Sequence, residues 1–501
     1  MDRFRCSILQ VIFVFCSFAG LLAGCATIPM PTQSDRIGET GSFGGCADFF
    51  ASLDKQTKKA NVIDPGVFRV KKYPYLRVNR FIASFGEDVD NQAAFAAWTD
   101  RMQALDQDAR NYEIANLPDT AVSALDSVND RAGLYSTVAT CGNLLRAADF
   151  QNVSHQEKLR ESVSVFDDYI TLRRVLGIYP ITRLFVSYGV SRWHDEARKS
   201  FSAEPPANWQ TIRYLPAEKI GVSHLSRIVG QTERDALGIP TYTPEKRRAL
   251  FRLYAPVWEI QYQGNYDRIG APTYTDSGLI SVNTDQPVTY TLLSFTRFGK
   301  EILTQLNYII WFPSRPKEGA LDIYGGVLDG VNYRVTLDPM GKPLNYETMH
   351  NCGCYYKAYP TDRLQVRPKI DYAEPPLILE APDVNPSNDL MVVAMESRTH
   401  YVQHLYPLSR ELKPATAVYS LADYGRLRSL QYLQDDRKSM FRQDSIAPDS
   451  TRLERLILWP TGVYSPGAMR QWGRHAVAFV GKRHFDDPFF MDEMFEQTDS
   501  R

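Results

Sequence analysis

The first twenty-five residues determine where this chain folds, and so which chemistry its side chains can use. Arg3 and Arg5 give a positive front, residues 8–18 form an apolar middle, and small residues lead up to Cys25. That layout is a secretory signal. The rival reading is an uncleaved N-terminal anchor, because residues 7–24 are just long enough for a short membrane span. Gln10 interrupts that stretch, and Gly20, Ala23 and Gly24 make a poor span end. Export places the rest of the chain in an oxidising compartment, where disulfides are the default fate of cysteine.

The four residues Leu22-Ala23-Gly24-Cys25 resemble the lipobox of bacterial lipoproteins. The resemblance implies that Cys25 becomes the lipidated first residue of the mature chain, and that a membrane is its partner through a lipid anchor. One acyl chain binds a membrane only marginally, whereas two or three hold it stably. Ala26 follows the cysteine, and a non-acidic residue there implies an outer-membrane, periplasm-facing location. The remainder resembles proteobacterial lipoproteins without an assigned activity, which adds no chemistry. Residues 25–45 are rich in Pro, Thr, Ser and Gly and read as a flexible tether. Its contour is at most roughly 65–70 Å.

Beyond residue 24 the chain is too long for one ordinary core and suits two or three domains. It carries 57 basic and 58 acidic residues, so no net field recommends nucleic acid as a partner. Apolar content of 44% with 12% aromatics is that of a folded globular protein. The expected fold is α+β: an α-helical part over 46–202, a connection over 203–250, and a body over 251–501 with a mainly antiparallel sheet and flanking helices. Phe95, Trp98, Met102 and Leu105 share one helical face, with Asp90 as the expected N-cap. Leu134, Val138, Cys141 and Leu145 share another. The apolar region 175–190 is broken by Pro180 and Arg183, which predicts a buried helix pair rather than a span. A short helix is expected over 218–229.

After residue 250 the pattern changes to short β-branched and aromatic runs, clearest at 287–295 and 306–312. Asp329-Gly330 predicts a hairpin turn, with Val331, Tyr333, Val335 and Leu337 on one sheet face beyond it. Asp338-Pro339-Met340-Gly341 turns the chain again into a strand that delivers His350 to its end. Further strands are expected at 390–395 and 401–405.

Four cysteines beyond Cys25 are disulfide candidates: Cys46, Cys141, Cys352 and Cys354. Cys46 and Cys141 both point into apolar helix faces, where they can pair; two inert buried thiols are the alternative. His350, Cys352 and Cys354 could ligate a soft or borderline ion, Zn or Cu, if Gly353 lets the chain curl. The same pair could instead form a tight disulfide or bridge to Cys46 or Cys141. His400 and His404 are spaced i, i+4. On a helix they would share an ion, whereas on a strand their Cα atoms would lie about 13 Å apart. Their neighbours favour strand. Arg470, Arg474, His475, Lys482 and Arg483 could hold an anion, although Asp486, Asp487, Glu493 and Glu496 are close enough to neutralise them.

No GxSxG elbow, Walker A, Rossmann GxGxxG, CxxC or EF-hand loop is present in the sequence. The leading expectation is therefore a non-catalytic binding or envelope-organising role with an envelope protein or lipid as partner. The alternatives are a periplasmic metal- or thiol-dependent enzyme centred on His350, Cys352 and Cys354, and an anion- or lipid-binding carrier.

Overall fold

The computed structural model describes residues 34, 36–38, 40–125, 130–202, 210–217, 232–319, 322–368, 374–411, 417–434 and 436–498. Cys25, the signal, most of the tether and the short helix expected over 218–229 lie outside them. The fold is α+β.

Helices α1 (Ser42–Lys59), α2 (Gln92–Ala115) and α3 (Arg131–Asp149) surround a hairpin, β1 (Phe68–Val70) and β2 (Tyr73–Val78), which interrupts the helical region. The helical stripes face inward as their spacing dictates. Phe95, Trp98 and Met102 of α2 and Leu134, Val138 and Leu145 of α3 meet Phe49, Phe50 and Leu53 of α1. Asn91, not Asp90, caps α2: its side chain accepts the Ala94 N–H at 3.0 Å, three residues on, where a cap must reach. Asp90 sits one residue too early and accepts from the Asn91 amide instead. Cys46 and Cys141 are disulfide-bonded, with Cα atoms 5.2 Å apart.

This core also buries charge. Arg77 of β2 donates to Asp106 at 2.9 Å and to both oxygens of Glu113 at 2.9 and 2.8 Å. Arg110, one helical turn from Asp106, donates to it at 2.8 Å and to Asp54 at 3.0 Å. Every charge in the network faces an opposite one, which is the condition for tolerating ions away from water.

After α4 (Val153–Ser162), α5 (Thr171–Leu176) and α6 (Tyr179–Ser202) lie against the body rather than the first core. The body strands follow: β3 (Thr211–Pro216), then helix α7 (Pro244–Leu253), β4 (Val257–Gln261), a separate hairpin of β5 (Ala271–Tyr274) and β6 (Ile280–Asn283), β7 (Val288–Phe298), β8 (Glu301–Arg315), β9 (Gly326–Leu337), β10 (Pro343–His350), β11 (Lys357–Pro360), β12 (Leu364–Val366), β13 (Leu377–Ile378), β14 (Asp389–Met395), β15 (Val402–Ser409) and β16 (Ala417–Asp423). Eleven form one sheet in the order β13-β11-β10-β9-β8-β7-β16-β3-β4-β14-β15. Antiparallel joins predominate, with β7 to β10 as a meander; β11–β13, β7–β16, β16–β3 and β4–β14 are parallel. The sheet curls: Val331, Tyr333 and Val335 of β9 share one core with Trp258 of β4 and Val402 of β15. Across the gap, the Lys357 ammonium of β11 donates to the Val402 carbonyl of β15.

Two expectations are corrected here. Asp329-Gly330 is no turn but the interior of β9, paired with Phe312 and Trp311 of β8. Gly330 is required by close approach instead, since a Cβ there would lie 2.2 Å from the Asn351 amide nitrogen and 2.5 Å from the Ile310 carbonyl. The helix pair spanning 175–190 forms but is not buried. Phe185 is 77% exposed and Val175 69%, because the pair lies on the rim of the curled sheet with its outer side uncovered. Among the described residues no helix is long and apolar enough to cross a membrane.

The outer side of β9 and β10 is covered by the C-terminal segment. Arg334 of β9 chelates Glu347 of β10 and donates to the Phe485 carbonyl at 2.6 Å. That segment also reaches the first core, where Arg80 binds Asp486 at 3.1 Å and Asp168 at 2.8 Å.

Candidate functional site

The meander brings His350, at the end of β10, beside Asp329 of β9. The β14–β15 loop brings His400 to the other side of the same carboxylate. Asp329 Oδ2 lies 2.8 Å from His400 Nδ1, and its Oδ1 lies 3.4 Å from His350 Nδ1. His400 Nε2 donates to the Tyr266 carbonyl at 3.2 Å and lies 3.5 Å from Asp267. The ring of Phe312 stacks on His400 at 3.8 Å.

Protonation follows from these partners. Both nitrogens of His400 face acceptors, so both carry hydrogen. Burial alone would lower its pKa, but Asp267 and Asp329 outweigh burial and raise it. His350 has a partner on Nδ1 only, while its Nε2 is buried without a hydrogen bond. Burial, opposed by Asp329, lowers its pKa and keeps it neutral. The result is a histidine held between two carboxylates that favour its charged form, with a second imidazole whose charged form is disfavoured attached through Asp329.

Backbone strain gathers at the same place. Leu328, Tyr355, Arg398 and His400 all adopt positive φ, at 57°, 60°, 70° and 54°. Such conformations cost bulky residues about 1–3 kcal/mol each and persist only where surroundings enforce them. Here Asp267 does part of the enforcing, accepting from Ser397 Oγ and the Arg398 N–H, both at 2.8 Å.

The cluster backs onto a cavity of about 430 Å³ under α6. Tyr355 and Tyr401, which pack on the His350 edge at 4.9 and 5.7 Å, form its floor. Phe185, Val186 and Trp193 of α6, with Ile457 and Phe479, supply apolar walls. Arg315, the last residue of β8, enters it with its guanidinium over Tyr324, Tyr355 and Tyr401 at 5.5, 5.9 and 5.1 Å. Among the described residues its hydrogen-bond partner is the Tyr401 hydroxyl at 3.3 Å, and no carboxylate is in ion-pair range. Glu454 lines the same cavity; burial, opposed by Arg315 and Arg452, raises its carboxyl to about 7.

The sequence-predicted residues divide as follows. His350 and His400 are brought together, through Asp329. His404 is not: on strand β15 it is turned to the ring of Phe201 at 6.3 Å. Cys352 and Cys354 are thiols, bridged neither to each other nor to Cys46 or Cys141. Gly353, at φ 92°, does curl the chain, and the Cys354 N–H donates to Cys352 Sγ at 3.3 Å. Hydrogen bonding to Cys352 and burial push the Cys354 thiol well up, which makes it a poor nucleophile. Among the described residues no group of three or more His, Cys, Asp or Glu side chains is arranged to hold a metal ion, so His350, Cys352, Cys354, His400 and His404 form no Zn or Cu cage.

The basic cluster is dispersed into internal roles. Arg470 donates to the Tyr464 and Ser465 carbonyls at 2.9 Å. Arg474 pairs with Asp168 at 2.8 Å, Lys482 pairs with Asp167, and Arg483 donates to the Glu374 carbonyl at 2.9 Å. Burial and Arg470 lower His475 to about 3, so it is uncharged. Arg483 alone of the five lines the cavity.

Sequence reasoning missed Asp329, Asp267, Arg315, Glu454, Tyr355 and Tyr401. Asp329-Gly330 carried a signal, but one shared with hairpin turns. Comparison with known protein families, with curated proteins and with solved structures finds no match.

Proposed function

We propose that this chain is a lipid-anchored, periplasm-facing protein of the outer membrane that binds a small apolar molecule carrying one carboxylate, without transforming it. The observation that carries the reading is Arg315: a cation facing an aromatic cavity with no carboxylate in ion-pair range among the described residues. A cavity of about 430 Å³ with apolar walls and a few converging polar groups is the usual form of a small-ligand site. The Tyr401 hydroxyl and a protonated Glu454 can complete the cradle for a carboxylate head. The disulfide between Cys46 and Cys141 supports an oxidising compartment. The lipobox supports the anchor.

Titration calorimetry with dodecanoate and dodecanol tests this. Charge-assisted hydrogen bonds contribute about 1.5–3 kcal/mol, so Arg315→Met is expected to weaken dodecanoate about 10- to 100-fold and to leave dodecanol little changed. Dodecanoate affinity is also expected to fall as pH rises through about 7, where Glu454 ionises and competes for Arg315. Glu454→Gln should remove that dependence. Equal binding of acid and alcohol by the unaltered protein would refute the assignment.

A further inference from the structure

The outward side of α5 and α6 needs an occupant, and we infer that it is the surface of an anionic lipid bilayer. Val175, Ile181, Leu184, Phe185 and Tyr188 are each more than half exposed. The neighbouring short helix Arg455–Leu458, whose Ile457 lines the same cavity as Phe185, adds Ile457, 61% exposed, and Leu456. Isolated surface apolar residues need no explanation, but a contiguous set of large ones marks an interaction surface.

Charge selects among occupants. Residues 169–194 contain Arg173, Arg174, Arg183 and Arg192 and no acidic residue. Arg192 pairs with Glu196 one turn on at 3.3 Å and Arg174 donates to the Gly481 carbonyl, which leaves Arg183 as the exposed cation among the apolar side chains. Arg455 is likewise exposed, at the start of the adjoining short helix. Exposed apolar side chains accompanied by Arg183 and Arg455, with no acid between residues 169 and 194, match the boundary between acyl chains and anionic headgroups. A second copy of this chain would instead place like charges face to face. Phe185 belongs both to the exposed side and to the cavity wall. Docking therefore brings the cavity mouth to the lipid, whatever molecule fills it.

The test uses the full chain with Leu184→Cys carrying a nitrobenzoxadiazole dye. It is mixed with vesicles of phosphatidylethanolamine containing phosphatidylglycerol, and co-flotation and iodide quenching are measured together. Leu184 is 64% exposed, so the label does not disturb packing. Quenching is expected to fall at least threefold on these vesicles, with a blue shift of emission. Val175→Asp, and separately Ile181→Asp, is expected to restore quenching. A chain that floats while its dye remains as quenchable as in solution overturns the docking and leaves the lipid anchor intact. A chain that neither floats nor shields its dye overturns both. Shielding without vesicles that grows with protein concentration assigns the surface to a second copy and overturns the lipid assignment.

Discussion

Replacing Glu113 by Gln tests the buried charge network directly. The side chain accepts from Arg77 at 2.9 and 2.8 Å and from the Asp64 N–H at 2.9 Å, with no exposure to water. Gln preserves the volume but removes the negative charge and turns an amide NH₂ toward guanidinium donors. Breaking a buried pair from one side costs about 3–5 kcal/mol, because a charge is left uncompensated. A second route gives the same size. Burial works against the Glu113 carboxylate, but Arg77 and Arg69 prevail and bring its pKa from 4.5 to about 2. At about 1.4 kcal/mol for each pH unit that gap corresponds to roughly 3 kcal/mol. The depressed folded-state pKa makes this stabilisation complete above pH 4.5 and removes it as pH falls toward 2. Urea titration followed by circular dichroism should therefore show Glu113→Gln less stable by about 3–4 kcal/mol at pH 7, with a deficit that narrows below pH 4.5. A loss under about 1 kcal/mol at pH 7 would be within the range of exposed pairs and would refute the network account.

Lys357 behaves oppositely: burial lowers its pKa from 10.5 to about 8. A depressed base penalises the folded state below pH 8, and the penalty is relieved as pH rises toward 10.5. Lys357→Met is expected to raise stability at pH 7 by about 2–3 kcal/mol, after loss of the bond to the Val402 carbonyl. The gain should vanish near pH 10.5, and urea midpoints at both pH values check it. Removing the disulfide by Cys46→Ala with Cys141→Ala, across a separation of 95 residues, is expected to cost up to about 4.7 kcal/mol. Thiol titration of the denatured, unreduced protein should find Cys352 and Cys354 both reactive and Cys46 and Cys141 unreactive.

Periodicity revealed what depends on local burial. The stripes through Trp98 and Val138, the strands at 287–295 and 306–312, and the alternation from Val331 to Leu337 all follow from which side of an element meets a core. The Asp338 turn was legible for the same local reason: the Gly341 N–H closes on the Asp338 carbonyl at 2.9 Å. The site was not legible, because its parts come from positions as distant as Asp267, Asp329 and His400 and meet only when the sheet curls. Asp329-Gly330 shows the ambiguity plainly. The residues that suit a two-residue turn also suit a buried carboxylate followed by a close backbone crossing. Apolar content misled at 175–190, where hydrophobicity was read as burial although the helix pair leaves its outer side open.

The segment 478–486 couples the two parts of the molecule. Tyr169 receives the N–H groups of Ala478 and Arg483 at 3.1 and 3.0 Å, Arg80 waits for Asp486, and Arg334 for the carbonyl of Phe485. Both halves thus keep polar sites whose mates lie in one stretch of chain, residues 478–486. Without that segment Arg80 would keep Asp168 and Arg334 would keep Glu347, but each would lose an acceptor, and Tyr169 would lose both of its donors. That single stretch therefore ties the stability of the first core to that of the sheet, so loosening one loosens the other.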